Sequence, residues 1–151
     1  MHISGGYMIK ASQQFSLIAL VCSVSLACAS PSWAVMVALK ADLKASNEVP
    51  PNESKGTGSV TATFDTDSNK LSWKGTVSGL IGTVTAAHFH AAEAGRNGAV
   101  AVPIIGADKD SFEGSATLTD TQAEDLMAGR WYVNIHTTTH KAGEIRGQVT
   151  K

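Results

Sequence analysis

From Gly58 to Asp65, and again from Lys70 to Leu80, an apolar or small residue returns at every second position. In "GSVTATFD" the set is Val60, Ala62 and Phe64, with threonines between them. In "KLSWKGTVSGL" it is Leu71, Trp73, Gly75 and Val77. A period of two belongs to an extended strand with one face in a core and the other in water. The polar stretch "DTDSN" between them has the length and composition of a hairpin turn. A lone hairpin buries too little to be stable, so such a chain must supply further strands. It does: "VMVALKADL", "TVTAAHFHAAE", "AVAVPIIG", "SFEGSATLT", "RWYVNIHT" and "EIRGQVT" are short and bounded by Gly, Asp or Asn. Seven or eight such strands predict an all-β, antiparallel Greek-key β-sandwich.

One segment breaks the period. "LTDTQAEDLMAGR" places Thr121 three residues before Glu124, the spacing of a capping box. Helix formers follow, and Gly129 stands where a helix would end. The expectation is one short helix over 121–128. In "ASNEVPPNESKGTG", Pro50 and Pro51 cannot continue a strand ladder, so this stretch reads as a connection.

The N-terminal part reads differently. Lys10 precedes "FSLIALVCSVSLACA", an apolar run too short to span a bilayer comfortably. Ser32 and Ala34 then supply the small residues of a signal-peptidase site. Residues 1–34 are expected to be a cleaved secretory signal peptide and 35–151 the single domain. The location implied is periplasmic or extracellular, with no membrane span in the mature chain. Cys28 in "VSLAC" puts Leu26 one position off the lipoprotein register, which disfavours a lipid anchor there. Both cysteines, Cys22 and Cys28, fall in this segment, so the domain has neither disulfide nor thiol. Removing residues 1–34 leaves 11 basic side chains against 13 acidic ones. That balance offers no electrostatic footprint for nucleic acid or for an anionic membrane.

Four of the five histidines lie in 35–151, and they come in two pairs: His88 with His90, and His136 with His140. Residues i and i+2 of a strand point to one side, about 6.5 Å apart, so two imidazoles there can close on one ion. His136 ends the strand "WYVNIH"; His140 lies in the turn-like "TTTHKAG" and joins the site only if that turn folds back. Nitrogen ligands without thiolate suit copper, zinc or nickel, with affinity peaking at copper. The cofactor expected is one copper ion, zinc being less favoured. The plain alternative is two polar pairs that share a strand face and bind nothing. Asn134 falls on the face of His136, and Thr137 is next to it; both are expected to hydrogen-bond the histidines. Glu144 and Arg146 lie two apart and can form an ion pair on the last strand, or the Arg can guide an anion to the metal. No protein partner can be named from these features.

The stretches "NEVPP" (Asn47 to Pro51), "SGL" (Ser78 to Leu80), "TAAHFHAAEAGRNG" (Thr85 to Gly98) and "GRWYVNIHTTTHKAGEIRGQV" (Gly129 to Val149) resemble, in this order, the CHRD domain, named after chordin. The resemblance runs from about Ala38 to Val149 and implies an exported all-β domain. It implies little about activity. More locally, "AAHFHAAEAG" is similar to the strand of copper–zinc superoxide dismutases that supplies two copper ligands as H-x-H. The sandwich is thus expected to be immunoglobulin-like or superoxide-dismutase-like. By that likeness His88, His90 and His136 would hold copper. However, "GRNGAVAVPIIGADKDSFEG" contains no histidine, so the zinc half of such a site is missing. A dismutase-like reading must be copper-only, with His140 replacing the missing ligand. Three functions follow from these features: a copper-binding module, a copper-only dismutase-like redox enzyme, or an interaction domain without metal.

Two other motifs carry less. "DTDSN" begins like a calcium loop, but Lys70 stands where glycine is needed and Thr76 where glutamate is needed. "NES" at Asn52 to Ser54 fits a glycosylation sequon.

Overall fold

The strands announced by the two-residue period are all present in the computed structural model, which describes His2 and residues 34–151. Apart from His2 and Ala34, the expected signal peptide and both cysteines lie outside the described residues. The elements are β1 (Met36–Lys44), β2 (Thr57–Asp65), β3 (Lys70–Ser78), β4 (Val84–Ala91), β5 (Ala99–Pro103), β6 (Ser111–Thr117), α1 (Asp120–Met127), β7 (Trp131–Thr137) and β8 (Ile145–Gln148). A short 3-10 turn, Ala45–Asn47, follows β1.

The eight strands form one sheet in the order β5-β4-β7-β8-β1-β2-β3-β6. Every pairing is antiparallel. β3 and β4 are far apart in that order, yet Trp73 of β3 meets Phe89 of β4 edge-on at 5.1 Å. Phe89 in turn lies 5.8 Å from Trp131 of β7. The sheet therefore rolls over on itself, and its two halves face each other across a single apolar core. The chain crosses between halves from β3 to β4, from β5 to β6 and from β6 to β7, which gives the expected Greek-key character in place of a plain meander. The alternation survives in detail: Val60, Ala62, Phe64, Leu71, Trp73 and Val77 are all buried.

At Gly75 the period includes a residue with no side chain because Phe112 occupies that space. A Cβ there would stand 2.3 Å from the Phe112 ring. Gly75→Ala is expected to cost about 1–3 kcal/mol through displacement of that ring. Chemical denaturation measures it, and an unchanged midpoint would contradict the packing.

α1 starts one residue earlier than expected. Its cap is Thr119, whose hydroxyl accepts from the Gln122 N–H while the Gln122 side chain accepts from the Thr119 N–H. The amide nitrogen of Gln122 also donates to the Ala101 carbonyl of β5, at 3.1 Å. α1 follows β6 directly, so it ties together the two edge strands of the sheet. Gly129 ends the helix with φ +74, as expected. "DTDSN" forms the β2–β3 turn. The Asp65 carboxylate accepts there from the Asp67 N–H and the Ser68 hydroxyl, which leaves no calcium loop.

Candidate metal centre

β7 runs between β4 and β8 and is buried along almost its whole length. Trp131, Val133 and Ile135 face the core. Tyr132, Asn134 and His136 face the other way, as the two-residue period requires. β4 adds His88, opposite Asn134, and His90, opposite Tyr132. His136 pairs with Ala86, which makes it the diagonal neighbour of His88. Three imidazoles thus meet on one sheet face. The ring centres of His88 and His90 are 5.4 Å apart, those of His88 and His136 5.3 Å, and those of His90 and His136 6.0 Å.

One nitrogen from each ring lies within 4.8 Å of the others. An ion held at about 2.0–2.1 Å keeps its nitrogens no more than about 4.2 Å apart, so the rings need to close only slightly. The remaining nitrogens explain which atoms face inward. His90 Nδ1 meets the Gly98 carbonyl at 3.0 Å, and His136 Nδ1 meets the Lys141 carbonyl at 3.0 Å. A carbonyl only accepts, so each Nδ1 carries the proton and each Nε2 presents a lone pair. Those Nε2 atoms, with His88 Nδ1, are buried and have no hydrogen-bond partner in the protein. Three buried imidazole nitrogens without partners are costly unless a ligand meets them, and neutral imidazole nitrogens are the donors a transition metal takes.

Electrostatics favour the neutral rings. Burial lowers the pKa of His88, and the neighbouring His136 and His90 lower it further. Burial also lowers that of His90, with His136 and Arg146 adding to the effect and the Gly98 carbonyl opposing it.

The other expected site residues are placed differently. His140 is outside the three-histidine group. Its backbone instead closes the β7–β8 loop: its N–H donates to the Thr137 hydroxyl, and its carbonyl accepts from the N–H groups of Thr137 and Gly143. The Thr137 hydroxyl donates to Glu144 Oε2 at 2.7 Å, so its proton goes to a carboxylate and not to an imidazole. Glu144, fully buried, also accepts from the Ser54 hydroxyl at 2.6 Å and the Ile81 N–H at 2.7 Å. It forms no ion pair with Arg146. The reason is local: β8 begins at Ile145, so Glu144 lies just outside the strand whose alternation would have put the two on one face.

Arg146 is nearly fully buried and lies 3.4 Å above the Tyr132 ring, a cation–π contact. His90 stacks on the same ring at 4.9 Å, from the β4 side. Arg146 also donates to Asn97 Oδ1 at 3.0 Å and to the Arg96 carbonyl. Asn97 in turn donates to the Val49 carbonyl, and the Gly98 N–H donates to the Tyr132 hydroxyl. Two connections, 46–50 and 92–98, are thereby fastened over the polar face. Asn134 lies on the histidine face as expected, but its amide donates to Glu48 Oε2 at 3.5 Å. Glu48 is the carboxylate that acts on Arg146, and sequence reasoning passed over it. The signal available was its place in "NEVPP".

The "NES" sequon serves the structure instead. Asn52 donates its amide to the Gly143 and Glu144 carbonyls, and Ser54 is bound to Glu144.

The family profile of the CHRD domain matches residues 39–149. No curated protein and no solved structure matches the chain. With the ordered motifs and this match over most of its length, the chain belongs to the CHRD domain family.

Proposed function

We propose that this protein is an exported CHRD domain that holds one transition-metal ion, copper by preference, through His88 Nδ1, His90 Nε2 and His136 Nε2. The observation carrying this is the convergence of three buried, partnerless imidazole nitrogens, two of them oriented by backbone carbonyls. Neutral nitrogen donors favour copper over zinc. Export is supported by the signal-peptide pattern of residues 1–34. Among the described residues no helix is long and apolar enough to cross a membrane.

Three protein ligands leave a metal with an open position, as catalytic sites do. Redox turnover is therefore a distinct outcome of the test. Calorimetric titration with copper(II) should show one site per chain. If copper binds and superoxide decay is unaffected, the protein is a binding module. If no binding is seen, both metal readings fall and an interaction domain remains.

The pH dependence has a defined sign. Protons compete with metal for imidazole, and a free imidazole takes them up near 6.5. The folded rings of His88 and His90 hold protons less strongly than that. Competition from protons on these two rings should therefore weaken copper binding only below pH 6.5. A calorimetric series from pH 7.5 to 5 tests it, and affinity that stays flat over the whole series would contradict histidine ligation.

A further inference from the structure

Beside the histidines, Glu48 and Asn134 each keep a buried oxygen with no partner, Glu48 Oε1 and Asn134 Oδ1. Both point at one spot. A Cβ on Gly143 would stand 2.5 Å from Asn134 Oδ1, 2.6 Å from Asn134 Nδ2 and 2.6 Å from Glu48 Oε1. Within the pair, Asn134 Nδ2 donates to Glu48 Oε2 at 3.5 Å. This is the face-to-face arrangement of an acid and an amide. Two facing acceptors are unfavourable, but a proton on the carboxyl satisfies both at once. Gly143, with φ +133 and no side chain, is what lets the pair approach the β7–β8 loop so closely.

We propose that Glu48 is a proton-holding residue of the histidine site: it sits as the neutral acid against Asn134 and releases that proton to solvent when a cation occupies the three histidines. Asn134 links the two places. It is the cross-strand partner of His88, two residues from His136 and opposite Arg146. The groups facing Glu48 are Arg146 from β8, Asn134 from β7, the Gly143 backbone and the N–H of Val49. Burial pushes its pKa up to about 7, although Arg146, Asn134 and Val49 all pull it down. A dication at the three histidines adds a second positive charge to that of Arg146, which favours the carboxylate. The bookkeeping is one O–H bond broken, one proton to water and one carboxylate facing two cations.

The coupling rests on the metal reading, whereas the acid state of Glu48 does not, and carbon-13 NMR of the glutamate carboxyls separates them. In the metal-free protein one glutamate should titrate near pH 7, and its signal should vanish in Glu48→Gln. With zinc, chosen because it is diamagnetic, that midpoint should fall by at least tenfold in proton affinity. Glu48 titrating in the ordinary carboxylate range without metal would overturn the proposal. So would a midpoint near 7 that zinc leaves in place while shifting the imidazole signals. If zinc shifts no imidazole signal, the metal reading and the coupling fall together, and the first titration still decides the acid state. Folding stability gives an independent check. A raised carboxyl pKa contributes stability that is full below about 4.5 and lost as pH rises through about 7. Glu48→Gln should remove that loss, and a variant with the wild-type pH profile would contradict the assignment.

Discussion

Replacing any one of His88, His90 or His136 by alanine is expected to weaken copper binding by about a hundredfold or more. Loss of a group that merely orients a ligand costs about 10–100-fold, and loss of a ligand itself should cost at least the upper end of that range. His140→Ala is expected to leave affinity unchanged, because only its backbone takes part in the loop that carries the Lys141 carbonyl. The contrast is the informative part, since a nonspecific effect of losing histidines would treat all four alike. Calorimetry on the four single variants measures it. Equal losses across the set would contradict a three-ligand site.

Glu144→Ala should be the most damaging polar substitution for stability, at about 3–5 kcal/mol. Glu144 is fully enclosed, and its two oxygens satisfy a Ser54 hydroxyl, a Thr137 hydroxyl and the Ile81 N–H. Alanine leaves the buried Ser54 and Thr137 hydroxyls and the Ile81 N–H without this acceptor, and breaking a buried polar network of this kind costs several kcal/mol. A domain of this size has only about 5–15 kcal/mol in total, so the variant should be close to its unfolding threshold. Urea denaturation of the metal-free protein measures the change. A loss below about 1 kcal/mol would mean that these donors find other acceptors.

The pairing of His88 with His90 on one face was legible because a strand repeats every two residues, a purely local rule. The same rule placed Asn134 with His136. It failed at Glu144, since the rule holds only inside a strand and β8 starts one residue later. The helix was legible, but its first residue was not. "TDTQAE" holds two overlapping capping boxes, Thr119 with Gln122 and Thr121 with Glu124, and local chemistry does not choose between them. The structure chose the first, where Gln122 also reaches across to Ala101.

What could not be read were the non-local parts. The carbonyls of Gly98 and Lys141 orient two histidines, and a carbonyl carries no residue identity. Glu48 reaches the site only because the β1–β2 connection crosses the polar face of β7 and β8. The fate of His140 depended on a loop whose closure is set by Thr137 and Gly143.

The central claim is that His88, His90 and His136 bind one copper ion as nitrogen ligands. Electron paramagnetic resonance of the protein with stoichiometric copper(II) tests it most directly. The predicted spectrum is a single tetragonal copper signal with hyperfine coupling to imidazole nitrogens, present in His140→Ala and lost in His136→Ala. A spectrum of free aqueous copper from the wild-type protein would contradict the claim.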